Sequence, residues 1–312
     1  MKWLWVLAAA VMAIPQAQQV AHSSRTSSQP FVGVTYIEQT ESAPRPLRIH
    51  AAQIDLQAPG IRFMVSPPGG DREVMRQSTL DFLRQQRAQL AINGHFFLPF
   101  PSSDTTAWVI GLGASEGRIF SAFEAPEQSY ALVALAPALN IDRDNQASIV
   151  TYDPSHGDNL HVREKVTLWN VVAGSSQIVT GGAVSVPEYR DDNHFDAELD
   201  PGGPGNYSNS KAWADVTTAR TAIGLSEDRR TLTLFTVDVR GGSEGMKLSE
   251  VAAILIRDFG VTDALNLDGG GSTSMAMEDA DGIPTIVNRS SDNPAGRVVA
   301  TSLAVFAQRR DR

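Results

Sequence analysis

The chain has 312 residues; 42% are hydrophobic and 20% charged, enough apolar material for a sizeable core, which excludes disorder for most of its length. Asp plus Glu number 35 against 26 Lys plus Arg, a net charge of −9, and this acidic balance argues against binding a nucleic-acid backbone. Cysteine is absent, which excludes a disulfide scaffold, a thiolate zinc site and a cysteine nucleophile.

Residues 1–19 read as a secretory signal. Lys2 supplies the charged start, and Trp3 to Ile14 is an unbroken apolar run of 12 residues, too short for a permanent membrane span. Pro15 ends the run and Ala17 is a cleavage residue. The expected location is therefore periplasmic or secreted, where nucleotides are scarce and ATP or NAD chemistry is disfavoured. Residues 20–30 form a polar, Ser-rich leader, and 31–312 read as one continuous domain. Within it, 187–218 is rich in Gly, Pro, Asn, Ser and acids and reads as a long surface loop or lid.

In chain order, strands are expected at Ile61–Ser66, Gln89–Asn93, Tyr130–Ala136, Ser148–Tyr152, Thr231–Val239, Ala264–Asp268, Thr285–Val287 and Val298–Phe306. Helices are few. One spans Ser78–Arg87, with Ser78 as N-cap. The other spans Ser249–Phe259, where Val251, Ile254, Leu255 and Phe259 share a face and Gly260 occupies the C-terminal glycine position. Each helix lies between two strands. The expectation is two strand–helix–strand units whose strands are parallel neighbours. The fold class is α/β in the broad sense, mixed α+β: a strand-rich single domain with a mixed sheet and few helices. Parallel strands end on one rim, where ligands of open sheets gather. That rim would collect Asn93, Asp238 and Asp268.

The strongest local motif is Asn266-Leu267-Asp268-Gly269-Gly270-Gly271-Ser272-Thr273-Ser274-Met275. Three glycines after a strand let backbone N–H groups approach a ligand, and Asp268 adds a carboxylate. A tight turn with Asp268 as its cap is the competing reading. No Gly-Lys-Ser/Thr ending follows, so this is not a P-loop. Gly241-Gly242-Ser243-Glu244-Gly245 matches the serine-hydrolase elbow. The histidines are His22, His50, His95, His156, His161 and His194, and none follows Ser243, so the elbow lacks its base. His95 could donate to a substrate or pack beside Phe96 and Phe97. The acids from Asp191 to Asp200 lack EF-hand spacing. Nothing in the sequence requires a cofactor, and these oxygens leave room for a divalent cation such as calcium. Arg220, Arg289 and Arg297, near strand ends, could hold phosphate or sugar hydroxyls.

Taken in order, these motifs resemble the phosphodiester glycosidase family from about Gln89 to Phe306. The resemblance rests on Ala91-Ile92-Asn93-Gly94-His95-Phe96-Phe97, Arg220-Thr221-Ala222-Ile223-Gly224, Asp238 with Arg240, Asn266 through Met275, and Val287-Asn288-Arg289 leading to Arg297. The chain departs from the family pattern at His95, Val239, Lys247, Ser290 and Ala295. The resemblance implies a secreted hydrolase that cleaves a glycosidic bond, of the sugar-1-phosphodiester kind, in envelope or extracellular polysaccharide. It implies Asp268 as nucleophile or base, Asp238 as its partner or orienter and Glu244 as the reserve carboxylate. Asn93, His95 and Asn266 would meet the sugar, Arg220 and Arg297 its anionic oxygens, and Gly269, Gly270, Gly271 and Ser272 would line the site. The partner is then a glycan phosphodiester, not nucleic acid. The other function class is a non-catalytic carbohydrate-binding or exopolysaccharide-assembly protein using the same cleft.

Overall fold

The computed structural model describes residues 23–123, 135–157, 159–186, 214, 216–291 and 293–310. The signal segment, the acidic stretch and most of the 187–218 loop lie outside the described residues, as does most of the strand expected at Tyr130–Ala136. The rest is strand-rich, 45% strand against 10% helix.

The largest sheet has eight strands in the order Ser23–Phe31, Val34–Glu41, Leu47–Asp55, Thr231–Val237, Arg220–Ser226, Val261–Asn266, Ser176–Thr180, Ala183–Val184. A five-stranded sheet runs Pro284–Ile286, Met275–Glu278, Leu90–Asn93, Ser302–Phe306, Arg62–Val65. A second five-stranded sheet carries Ala138–Ile141 and Asn170–Ala173 at its centre.

Side-chain alternation builds the layers. Leu90 and Ile92 face Ile223, Leu232, Leu234 and Leu265 of the large sheet in the central core. Ala91 points the other way, beneath Leu80, Phe82 and Leu83 of the first helix, Thr79–Gln86. Ala276 and Ala304 flank Ala91 in register, and this row of small side chains lets the helix sit close. The far face of the large sheet, with Ile49, Phe235, Val237 and Ala264, packs under Val251, Ile254, Leu255 and Phe259 of the second helix, Leu248–Phe259. The layers are helix, sheet, sheet, helix.

The helix-linked strands are parallel, as expected, but they are not neighbours. Arg220–Ser226 lies antiparallel between Thr231–Val237 and Val261–Asn266, and Ser302–Phe306 lies antiparallel between Arg62–Val65 and Leu90–Asn93. Every ladder among the described residues is antiparallel, so the expected mixed sheet is corrected to antiparallel sheets. The reason is local in one case: Arg220–Ser226 and Thr231–Val237 form a hairpin closed by a short turn. There Ser226 Oγ donates to Asp228 at 2.7 Å and Arg229 takes φ 58°. A hairpin with a tight turn forms from neighbouring residues, and antiparallel pairing is slightly stronger per residue.

Element boundaries also differ, among them the following. The strand expected at Val298–Phe306 breaks at Ala300 and Thr301: Val298–Val299 pairs with Gln77–Ser78, and Ser302–Phe306 enters the sheet. The second helix starts at Leu248, one residue before the expected Ser249, with Lys247 as its N-cap. Its backbone N–H donates to Glu250 Oε2 at 2.8 Å, which meets one need of the helix start.

Candidate active site

Asp268 follows the central strand Val261–Asn266. Three backbone contacts tie it to both main sheets. Leu267 N–H donates to Thr221 O at 2.8 Å, Asp268 N–H to Gly94 O at 3.1 Å, and Asn93 Nδ2 to Asp268 O at 2.7 Å. Asn93 Oδ1 in turn accepts from the Ser274 N–H and the Thr221 hydroxyl, both at 2.9 Å. Asn93 is fully buried. It is a clamp that fixes the ends of the glycine loop.

The loop itself explains the glycines. A Cβ on Gly269 would lie 3.0 Å from Ala219 O, and Gly270 takes the left-handed φ of 57°, with its N–H on Ala219 O at 2.8 Å. A tight 3₁₀ turn, Gly270–Ser272, brings the Ser272 hydroxyl back onto the Asp268 carboxylate. A Cβ on Gly271 would collide with the guanidinium of Arg297. Glycine is thus required for Arg297 to lie over the loop, where its Nη1 donates to Ser272 Oγ at 3.4 Å and its guanidinium covers the Phe100 ring at 5.2 Å.

The Asp268 carboxyl is 7% exposed. Burial pushes it up to about 7, against the opposing pull of the Ser272 hydroxyl, the Arg297 charge and the Gly269 N–H. Among the described residues no second carboxylate contributes to this rise. A carboxyl poised near neutrality, aimed at by a hydroxyl, an amide and a guanidinium, can act as a nucleophile or base on an anionic substrate.

The other expected residues fall in different places. Asp238 is 1% exposed and its Oδ1 accepts from Asn288 Nδ2 at 3.0 Å, Arg289 N–H at 2.8 Å and Ser290 Oγ at 3.0 Å. Its Oδ2 has no hydrogen-bond partner among the described residues and lies 3.5 Å from His50 Nε2, while His50 Nδ1 meets the Tyr36 hydroxyl at 2.7 Å. Burial, with Glu38 and Asp238 nearby, raises the Tyr36 hydroxyl above its usual range. Asn288 also donates to Thr273 O at 3.1 Å and accepts from Met275 N–H at 2.8 Å. Asp238 thus anchors the back of the glycine loop through Asn288, a place that fits the orienter of the two roles expected for it.

Glu244 sits on the exposed loop before the second helix, its backbone N–H on Pro46 O at 3.0 Å, and gives no support as a reserve catalyst. Its neighbour Ser243 donates to Asp238 O at 2.6 Å and accepts from Arg48 N–H at 3.0 Å. A buried, committed hydroxyl without a histidine is no nucleophile.

His95 lies in the core, the second of the two places expected for it. It is 1% exposed, its Nε2 lies 3.1 Å from Leu112 O and its Nδ1 2.8 Å from Thr301 Oγ1. A carbonyl can only accept, so Nε2 carries the proton and Nδ1 accepts. Burial lowers its pKa to about 4, partly offset by Leu112 O, and it stays neutral.

Arg220 is buried as well. It is 1% exposed and lies behind the loop, with Nε on Met246 O at 3.0 Å and Nη2 on Val216 O at 2.5 Å. Burial lowers its pKa to about 10, so it remains charged. Asn266 is also fully buried; its Nδ2 donates to Ser175 Oγ at 3.0 Å and Leu267 O at 2.9 Å, and its Oδ1 lacks a partner among the described residues. Of the loop amides, those of Gly269 and Gly270 are committed internally, to Asp268 and Ala219 O. The structure therefore gathers Asp268, Ser272, Gly271 and Arg297. Sequence reasoning missed Asn288, Thr221 and Thr301 as anchors, and Phe100 as the ring under Arg297. Asn288 and Thr221 carried a signal, as parts of Val287-Asn288-Arg289 and Arg220-Thr221-Ala222-Ile223-Gly224. Among the described residues, no group of three acids or histidines could hold a metal ion.

Residues 86–306 match the model of the phosphodiester glycosidase family. No curated protein matches the chain. Among solved structures it is similar to the catalytic domain of zebrafish N-acetylglucosamine-1-phosphodiester alpha-N-acetylglucosaminidase, auto-inhibited by its pro-peptide. That pair shares 20% identity over 94% of this chain and 85% of the other, with TM-score 0.58. A protein of Burkholderia pseudomallei K96243 gives 14% identity, 94% and 98% coverage and TM-score 0.61. A hypothetical protein from Synechocystis gives 16% identity and TM-score 0.60, over 88% of this chain but only 62% of that one. At such identities the likeness shows a shared fold.

Proposed function

The chain belongs to the phosphodiester glycosidase family, and on that premise we propose that it is a hydrolase that cleaves the glycosidic bond of sugar-1-phosphodiesters. The observation that carries this reading is the buried Asp268 carboxyl, raised to about 7 and facing Ser272 and Arg297. Glycoside cleavage ordinarily uses two carboxyl groups, one of them an acid for the leaving group. A phosphate leaving group departs as a stable anion and needs little acid help. A single carboxylate then suffices: ionised Asp268 draws a proton from the water that attacks the anomeric carbon, or attacks that carbon itself and is freed when water cleaves the resulting glycosyl ester. The bond from C1 to the phosphate oxygen breaks, and its electron pair leaves with the phosphate. Arg297 faces the charge that collects on that oxygen.

The substrate we propose is an envelope or extracellular glycan, met after export directed by the Lys2 to Ile14 segment. Mature protein from the periplasm or medium should begin between about Gln16 and Ser24; full-length protein in the cytosol would refute export. The second class, a carbohydrate-binding or exopolysaccharide-assembly protein, would bind the same diesters without turnover. The deciding experiment offers purified protein sugar-1-phosphodiesters, aryl glycosides and alkyl glycosides, with and without chelator. The reading predicts turnover of the diesters, none of the alkyl glycosides, and no loss with chelator. Saturable binding without any hydrolysis would favour the binding class, and loss with chelator would bring a cation such as calcium into the site.

A further inference from the structure

A polar row crosses the inner face of the large sheet. Glu38, His50, Thr236 and Thr221 stand opposite one another in register on four successive strands. The next row on that face, Tyr36, Ala52, Leu234 and Ile223, belongs to the central core. His50, Thr236 and Thr221 are buried, and the polar row reaches solvent at Glu38, whose side chain is 38% exposed and pairs with Arg48 at 3.0 Å. Both clamps of the glycine loop start beside this row. Thr221 donates to Asn93, and Asp238, two residues beyond Thr236, holds Asn288.

Asp238 grips Asn288, the Arg289 N–H and Ser290 with Oδ1 alone. Its Oδ2 is buried, has no hydrogen-bond partner among the described residues, and faces His50 Nε2 at 3.5 Å, long for a hydrogen bond. A carboxylate oxygen only accepts, so the ring hydrogen that faces it sits on Nε2. That leaves Nδ1, 2.7 Å from the Tyr36 hydroxyl. Burial raises the Tyr36 hydroxyl above its usual range, so it keeps its proton and donates it to Nδ1. The two rings also lie stacked, 6.2 Å apart and 19° from parallel, and the Thr236 hydroxyl donates to His50 O at 3.4 Å. Tyr36 therefore fixes both the tautomer and the direction of the imidazole.

We propose that His50 is a positioning residue for the reaction: held by Tyr36, it presents Nε2–H to the free oxygen of Asp238 and keeps that carboxylate turned so that the other oxygen holds Asn288. Asn288 then fixes Thr273 and Met275, where the chain leaves the glycine loop. Without His50, Oδ2 is a buried acceptor with no donor near it, and the carboxyl must turn or take a proton. Either change slackens the bonds to Oδ1 and lets Ser272 move against Asp268. A displacement of about 1 Å can cost about 10²-fold in rate. This rests on the glycosidase reading of Asp268. It adds a device carried by Tyr36 and His50, which lie before the 86–306 stretch that matches the family.

The test measures kcat, KM and melting temperature on one sugar-1-phosphodiester for wild type, His50→Phe, His50→Gln and Tyr36→Phe. Phe fills the place of the ring but has no donor; Gln offers an amide N–H toward Asp238 and a carbonyl that can accept. His50→Phe should lower kcat at least about tenfold with KM within about twofold, the pattern of a contact needed in the transition state. His50→Gln should recover turnover to within about threefold of wild type, and Tyr36→Phe should fall between the two. A merely structural His50 would show in melting temperature alone. Unchanged kcat in folded His50→Phe, or His50→Gln no more active than His50→Phe, would overturn the proposal and leave the glycosidase reading standing. If His50→Phe does not fold, Tyr36→Phe decides, because it removes only a hydroxyl: a kcat equal to wild type would overturn the proposal. No turnover by wild-type protein would overturn both readings.

Discussion

Two buried groups near the glycine loop are displaced in opposite directions, and their effects on stability have opposite signs. His95 sits near 4 in the fold against about 6.5 when unfolded, so its contribution is complete above about 6.5 and is lost as pH falls toward 4. Asp268 sits near 7 against 3.8, so its contribution is complete below about 4 and is lost as pH rises to 7. Each effect has a ceiling of about 3–4 kcal/mol, and in the wild type they offset each other between about pH 4 and 6.5. Asp268→Asn removes one of them, so its denaturant-measured stability should rise with pH across that window more steeply than the wild type's. Parallel curves would contradict the raised pKa of Asp268, because His95 acts equally in both proteins. The place of Asp268 was legible in the sequence, because a carboxylate at a strand end before three glycines sits at a tight turn whether it caps that turn or meets a ligand. The fates of Asn93, His95 and Arg220 were not. An amide, an imidazole and a guanidinium can each serve a ligand or a buried carbonyl, and only Asp268 O, Leu112 O and Met246 O, brought from distant parts of the chain, decide it.

Among the elements, the helices were the easiest to read. Ser78 Oγ accepts from Asp81 N–H at 3.1 Å as an N-cap, and Gly260 closes the second helix at φ 66°. Nothing lies within 4 Å of a Cβ at Gly260, so Gly260→Ala adds only backbone strain. It should lower stability by about 1 kcal/mol in urea unfolding with turnover unchanged; a change in kcat would link this helix end to the site. Gly271→Ala differs, because its Cβ displaces the movable end of Arg297 rather than backbone. It should keep the melting temperature near wild type, raise KM for phosphodiesters several-fold and spare aryl glycosides, which carry no phosphate. Equal effects on both substrates would separate Arg297 from phosphate binding. Strand pairing was harder to read than the helices. Two strands joined by a helix look like parallel neighbours, and nothing in either strand announces that Arg220–Ser226 or Ser302–Phe306 will lie between them.

On the scale of the whole molecule, that insertion occurs twice, once in each main sheet. Asn93 and Asn266 end corresponding strands, and the residues after them donate to Thr301 O at 2.9 Å and Thr221 O at 2.8 Å. Ala91-Ile92-Asn93-Gly94 and Ala264-Leu265-Asn266-Leu267 thus occupy equivalent places in the fold. The apolar alternation and two amphipathic helices implied layers. Their stacking into helix, sheet, sheet, helix, with the Asp268 loop clamped where the two sheets meet, depends on contacts across long stretches of chain. The central claim is that this clamped carboxylate performs the chemistry, and Asp268→Asn tests it by paired measurement of melting temperature and kcat on a sugar-1-phosphodiester. The account predicts a folded variant with turnover reduced at least ~10²-fold, and a wild-type kcat/KM that rises through a midpoint near pH 7 as Asp268 ionises. A variant that melts about 0.5–2 kcal/mol less stably yet keeps its turnover would show Asp268 to be only the cap of its glycine loop.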